Sequence, residues 1–532
     1  MTTKNFASQL LILLTLVFLI SCEGDQGPAG PEGPTGSMGA DGAPGADGTD
    51  GADRGNGYLI LTGNITNEEA SEIIATETGS NTHTILVRNT TNLTSLTFEG
   101  LENVVYVEIN NNENLEQLSF PNLKNSYESI SISTNAKLTE VDLSQLEEGF
   151  RISISDHELL NTLDLSSLKN MTRAIEIYRN DVLQVVSIPE LISSSGISIY
   201  DNDNLESISA SKLVTANGRL SVFNNINLST LELSSLENTR ELSVFGENKM
   251  EVIDFPKLNN ITGNVSIRNT VTLKTVRLPL YTGSENIRLE IENNTLLTEV
   301  STGALTKIDR LNIDNNPILV TIPTLSSLTG EISAFTITEN PSIQQIDMSK
   351  ITTISTCIIR ENESLSSISF SGLGTIGNRL DIRFNTMLSS IDLSSLVSLG
   401  AGVSNPTFRF ADNALTGLSM PNLQSFKDLN VTEDALATFN LAAATTFEDI
   451  RVDSAVQLTT VNVSSATDFL NIDMDTPGGI ATAAIDNIIS SLVAKNPPIT
   501  GTKVTLRGVA STQAETDAQT LRDNGNDITF RN

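Results

Sequence analysis

From residue 85 to about 474, apolar and polar positions recur as apolar-x-apolar-x-x-Asn-x-x-Leu-x-x-apolar-x-apolar-x-x-Leu. Val107, Ile109, Asn112, Leu115, Leu118, Phe120 and Leu123 form one copy; Ile197, Ile199, Asn202, Leu205, Ile208 and Leu213 belong to another. Seventeen copies start at residues 85, 107, 130, 152, 175, 197, 220, 242, 265, 289, 311, 335, 357, 380, 408, 429 and 450, about 22.8 residues apart on average. Each copy holds two short alternating stretches, and alternation is the period of a pleated strand. Neither strand can bury a face alone. Stacked copies share one core, so the pattern predicts a mainly β fold: a parallel β-solenoid of about 17 coils of 22–23 residues with small α/β caps. At about 4.8 Å per coil the rod is about 80 Å long.

The polar position inside each copy is Asn112, Asn135, Asn180, Asn202, Asn225, Asn294, Asn316, Asn340, Asn362, Asn385 and Asn413, with Thr90, His157, Glu247, Thr270, Asp434 and Ala455 in the remaining copies. A tight corner leaves backbone groups unpaired. An inward amide can bond them and the amide of the next coil, forming a structural Asn ladder. Asn also tolerates the left-handed backbone that corners use. Flanked by core positions, these amides read as structure and not as ligand contacts.

The ends differ from the repeat. Residues 58–62 suggest a strand, and Thr66 with Glu69 forms a capping box for a helix over 67–77. Residues 482–494 read as an amphipathic helix stopped by Pro497-Pro498, followed by a strand near 502–507, a helix near 512–523 and a strand at 527–531. These are expected as an N-terminal cap over 58–84 and a C-terminal α/β cap over 476–532, enclosing the solenoid of 85–475, because an open solenoid end exposes core and strand edge.

Residues 1–21 carry Lys4 and an apolar run from Leu10 to Ile20, too short for a span of about 20 residues. Leu19-Ile20-Ser21-Cys22 resembles the bacterial lipobox, which implies a lipoprotein signal peptide and acylation of Cys22, holding the mature chain on a membrane. Over 22–57 a collagen-like stalk follows, with Gly at every third residue from 24 to 51. Its acidic residues, with no basic one before Arg54, favour an extended spacer over trimerisation through Gly-X-Y. Bacteroidetes surface lipoproteins are similar over residues 22–53. The repeat resembles the receptor L-domain branch of leucine-rich-repeat proteins, and repeats of bacterial surface and fungal cell-wall proteins. That resemblance implies a right-handed solenoid that binds along its faces without catalytic residues. Taken together these likenesses imply a lipid-anchored outer-membrane protein of a Gram-negative bacterium, displayed at the cell surface.

Composition narrows the chemistry. Lys and Arg number 32 against 64 Asp and Glu, a net charge of −32, which excludes nucleic acid as a partner. Two Cys and two His leave no basis for a multi-Cys metal site or a His-based triad, so no cofactor and no metal is expected. Cys357 occupies a core position; His157 replaces a ladder Asn, donating one bond and accepting one; His83 has no Cys or His beside it. Asp473 and Asp475 are the nearest approach to paired carboxylates. The sequence has no Gly-rich phosphate loop, Gly-x-Ser-x-Gly or His-Glu-x-x-His.

The expected function is non-catalytic recognition or adhesion: a membrane anchor at Cys22 and a protein or glycan ligand on flat strand faces whose outward positions hold Ser, Thr and Asn. Two alternatives stand beside it. A β-helix polysaccharide-degrading enzyme needs a groove, and only the uncharged insertion around Val397–Pro406 departs clearly from constant coil length. A −32 chain should also repel an anionic glycan. The second alternative is a purely structural cell-envelope spacer.

Overall fold

The computed structural model describes residues 57–246, 248–400 and 406–532. The signal segment, Cys22, the Gly-X-Y run, Glu247 and the middle of the 397–406 insertion lie outside the described residues. Contacts divide the chain into Met1–Ala52 and Asp53–Asn532, and the description below concerns the second unit.

Asp53–Asn532 is a mainly β parallel solenoid. One 24-stranded parallel sheet runs its length, and five smaller sheets of three or four strands form a second side. Register is set by the core: Ile130 pairs with Ile152, Ile152 with Ile175, Ile175 with Ile197, and Ile197 with Leu220. Slipping one residue would turn each of these outward. The inward side chains form one continuous cluster from Leu59 to Ile528.

The second corner has a local cause. In Asp142-Leu143-Ser144, Asp164-Leu165-Ser166, Asp347-Met348-Ser349 and Asp392-Leu393-Ser394, the Asp Oδ1 accepts the Ser backbone N–H at 2.9–3.0 Å. This side-chain turn ends the short strand and aims the following Leu inward.

The terminal elements continue the ladder and do not sit apart from it. Strand Tyr58–Gly63 pairs in parallel with Thr84–Thr90, and Lys503–Arg507 and Asp527–Arg531 extend the sheet beyond Asp468–Met474. Helices Asn67–Glu77, Thr482–Val493 and Thr512–Asp523 take the place of the short second strand. The Thr66/Glu69 box closes the first: Thr66 Oγ1 accepts Glu69 N–H at 3.3 Å and Glu69 Oε2 accepts Thr66 N–H at 2.9 Å. These backbone and hydroxyl donors lower the Glu69 pKa. With strand Tyr58–Gly63 and the three strands after the seventeenth copy counted, the sheet has 21 rungs, four more than the repeat alone predicts.

Candidate functional site

The amide column is interior. Asn112, Asn135, Asn180, Asn202, Asn225, Asn294, Asn316, Asn340, Asn362 and Asn385 are buried, and Asn413 is half-buried. Except at Asn180, which follows His157, each Oδ1 takes the backbone N–H, and in most coils also the Nδ2–H, of the preceding ladder residue. Asn340 Oδ1 accepts Asn316 N–H and Nδ2–H, both at 3.1 Å, while Asn340 Nδ2 donates to Ile313 O at 2.8 Å and Thr338 O at 2.6 Å. A ligand cannot reach these groups.

Three expectations about the column are corrected. The left-handed residue is not the ladder Asn but its predecessor: Asn111 (φ 53), Thr134 (φ 55), Arg179 (φ 51), Phe384 (φ 58) and eleven others carry the positive φ, each one residue before the ladder position. Fixed packing on both sides holds even Thr and Phe there. Near 247 the buried ladder residue is Asn248, because Gly246 (φ 90) takes the left-handed turn and Glu247 adds one residue. Near 434 it is Glu433, because this coil lacks the left-handed residue; Asp434 is exposed.

Two ladder residues titrate. His157 accepts Asn135 N–H at Nδ1 (3.3 Å), and its Nε2 lies 3.2 Å from Ile132 O, so the neutral Nε2–H form fits the corner. Having one N–H where Asn has two, it leaves Asn180 Oδ1 buried without a partner. Burial lowers the His157 pKa to about 4, against its backbone bonds and Asp156. Glu433 accepts Asn413 N–H at 3.1 Å and Nδ2–H at 2.6 Å; burial still raises its pKa to about 7.

The other singled-out residues separate. His83 is exposed and Cys357 is fully buried, its thiol pushed up by burial and by Asp381. Asp475 is bound by Arg507 Nε at 2.7 Å and by Arg531, so it pins the end of the sheet. Asp473 points outward beside Arg451 and Thr505 without that contact. Among the described residues no group of three His, Cys, Asp or Glu is arranged to hold a metal ion, and no helix is long and apolar enough to cross a membrane.

The accessible chemistry lies on the outer face of the large sheet, and its charge is not that of the chain. Sixteen of the 19 Arg are in the strands of this sheet, against one of the 13 Lys. Its strands hold 17 basic and 18 acidic residues, so this face is nearly neutral in a chain of −32. Several acids are covered by arginine. Asp381, outward between the core residues Leu380 and Ile382, is bonded by Arg379 at 2.7 Å, Arg383 at 2.6 Å and Arg360. Burial would raise its pKa, but the three guanidiniums together hold it at about 2. Composition shows none of this: Arg379 and Arg383 stand two residues from Asp381, but Arg360 comes from the preceding coil, 21 residues away.

Two further features were hidden in the sequence. Tyr178, Tyr200, Phe223 and Phe245 stack along the axis with centroids 4.8, 4.6 and 4.5 Å apart and planes within 7°. Arg179 lies over Tyr178 and Arg268 over Phe245, so the column presents ring edges and its end rings are covered. The face is also bent, not flat. Register shifts between Met171 and Ala174, Ser194 and Ile197, and Ala216 and Arg219 mark bulges that kink successive strands. Gly218 is required there, since a Cβ would meet Ser195 O at 2.1 Å.

A furrow opens at this bend, just before the first inward residue of the strands Glu148–His157, Asn170–Asn180, Ser193–Tyr200 and Thr215–Phe223. It widens to about 610 Å³ between Phe150, Arg151, Arg173, Ala174, Gly196 and Arg219. Cavities of about 420 Å³ near Asp309 and Ser333, and about 450 Å³ near Lys427 and Glu448, lie on the same line farther along. Around Arg173, the groove that constant coil length argues against is therefore made by bulges inside strands, without inserted loops. Arg151 bonds Glu176 at 2.5 Å and Arg219 bonds Glu241 at 3.2 Å. Arg173 lies over the Phe150 ring at 5.6 Å and makes no ion pair among the described residues.

No family model matches the chain, and no curated protein is similar to it. A solved structure is: the functional domain of InlJ from Listeria monocytogenes, which includes a cysteine ladder. The likeness is 14% identity over 79% of this chain and 75% of that one, with a TM-score of 0.20.

Proposed function

We propose that this protein is a non-catalytic, lipid-anchored recognition protein of a Gram-negative outer membrane, binding a protein or glycan through the outer face of its large sheet. Cys22 carries the lipid and the Gly-X-Y run spaces the solenoid from the membrane. The observation that carries this reading is the segregation of arginine. Guanidinium groups suit planar, directional recognition, and this chain places 16 of its 19 arginines, but only one of its 13 lysines, in the strands of one continuous sheet. Glu176 and Glu241 beside the furrow, and Asp475 at the end of the sheet, are held by arginine. That supports binding over turnover.

Two experiments test it. Protease shaving of intact cells should release solenoid fragments, and Cys22→Ala should move the chain out of the membrane fraction. Full-length protein in mild detergent, applied to a glycan and matrix-protein array, should give a saturable partner. An array with no partner would favour the spacer. Depolymerisation of a polysaccharide by the protein would overturn the non-enzymatic reading.

A further inference from the structure

The furrow beside Ala174 and Gly196 has the features of a site for a linear anionic sugar chain. It runs parallel to the solenoid axis, so a long occupant extends from coil to coil without turning. Its floor is small side chains, and Ser198 lies beside it on the same face. The strands that form it are hydrogen-bonded to neighbours on both sides, so it offers no free edge to a peptide backbone. The nearby aromatic column shows edges, which removes sugar stacking as the main source of affinity and leaves polar contacts. Among its three arginines, Arg151 and Arg219 are each committed to a glutamate, whereas Arg173 is exposed, lies over the Phe150 ring and is unpaired among the described residues. A planar guanidinium left without a carboxylate partner can take a planar carboxylate in bidentate fashion.

Resting on the recognition reading above, we propose that this furrow binds a uronate-bearing polysaccharide laid along the solenoid, with a sugar carboxylate seated on Arg173. The net charge of −32 does not forbid it. The large sheet is close to neutral, and charges on other faces are screened beyond about 8 Å at physiological salt.

The test is titration of full-length protein in detergent with polygalacturonate oligomers and with their methyl esters. Binding of the acid, weakened at least tenfold by esterification, is expected. Arg173→Gln should weaken it at least tenfold, with Arg173→Lys between the two and thermal unfolding unchanged. Ala174→Leu, which fills the floor, should weaken binding as well. Arg277→Gln, on one of the small sheets, should leave it unchanged. Equal binding of acid and ester, wild-type affinity in Arg173→Gln, or no binding of polygalacturonate overturns the proposal. In any of those cases, an array partner of another kind leaves the recognition reading standing, and an array with none removes both.

Discussion

The amide column is continuous from Asn294 to Asn385 and interrupted at His157 and Glu433. In the continuous run every member repeats the same geometry: one oxygen receives the preceding coil, and one NH₂ bonds backbone carbonyls or the next amide. At His157 the corner has too few donors, and an oxygen of Asn180 stays unpaired. At Glu433 it has enough acceptors, but one is a carboxylate that burial drives toward protonation. Within the run of amides, the comparison teaches that the corner is best satisfied by a neutral group with two donors and an acceptor. Burial alone is insufficient, and the substitutes make the rod sensitive to pH.

The largest expected effect comes from breaking the continuous run. Asn340→Ala removes the acceptor of two Asn316 donors and leaves Ile313 O and Thr338 O without their amide donor; a loss of about 4 kcal/mol is expected in denaturant unfolding. A change near zero would mean that water repairs the corner. Next is Glu433→Gln. The folded pKa of Glu433 is raised, so its contribution is fully present below about pH 4.5 and is lost as pH rises through about 7. The Gln variant should therefore be more stable by up to about 3 kcal/mol at pH 8 and equal to the parent at pH 4.

On the outer face, Asp381→Ala would leave Arg360, Arg379 and Arg383 facing one another without their carboxylate. About 2 kcal/mol of destabilisation is expected at pH 7. Because the folded pKa of Asp381 is lowered, the parent's advantage should fade as pH drops from about 3.8 toward 2. The smallest effect is His157→Asn, which supplies the missing donor to Asn180 Oδ1 and should gain about 1 kcal/mol at pH 7. The His157 pKa is lowered on folding, so its contribution is present above about pH 6.5 and lost as pH falls toward 4. The Asn variant should lack that loss, and parallel melting curves at pH 7 and pH 5 check it.

Much of the solenoid is legible in the chain because the core obeys one short rule. Ile, Leu and Val alternate on the strand period, so which side chains point inward follows from position alone. The helices were legible from Thr66 with Glu69 and from Pro497-Pro498. The ladder was legible by residue type but slipped by one at Asn248, where the coil has one residue more before the ladder position, and at Glu433, where it lacks the left-handed residue, while the apolar spacing stays readable. The furrow was not legible. It depends on bulges between Met171 and Ala174 and their equivalents, which alter backbone pairing without changing the inward pattern.

The sequence by itself determined the period, the inward residues, the Asn corners and the Asx turns, because each acts within about ten residues of chain. Tertiary structure decided what meets across coils: three arginines on Asp381, the stacked rings from Tyr178 to Phe245, Arg173 over Phe150, and a near-neutral face on an acidic protein. Except for Arg379 and Arg383, which stand two residues from Asp381, these partners lie some 20 residues or more apart in the chain. They become neighbours only when parallel register brings successive coils within about 5 Å, and a shift of one residue would separate them.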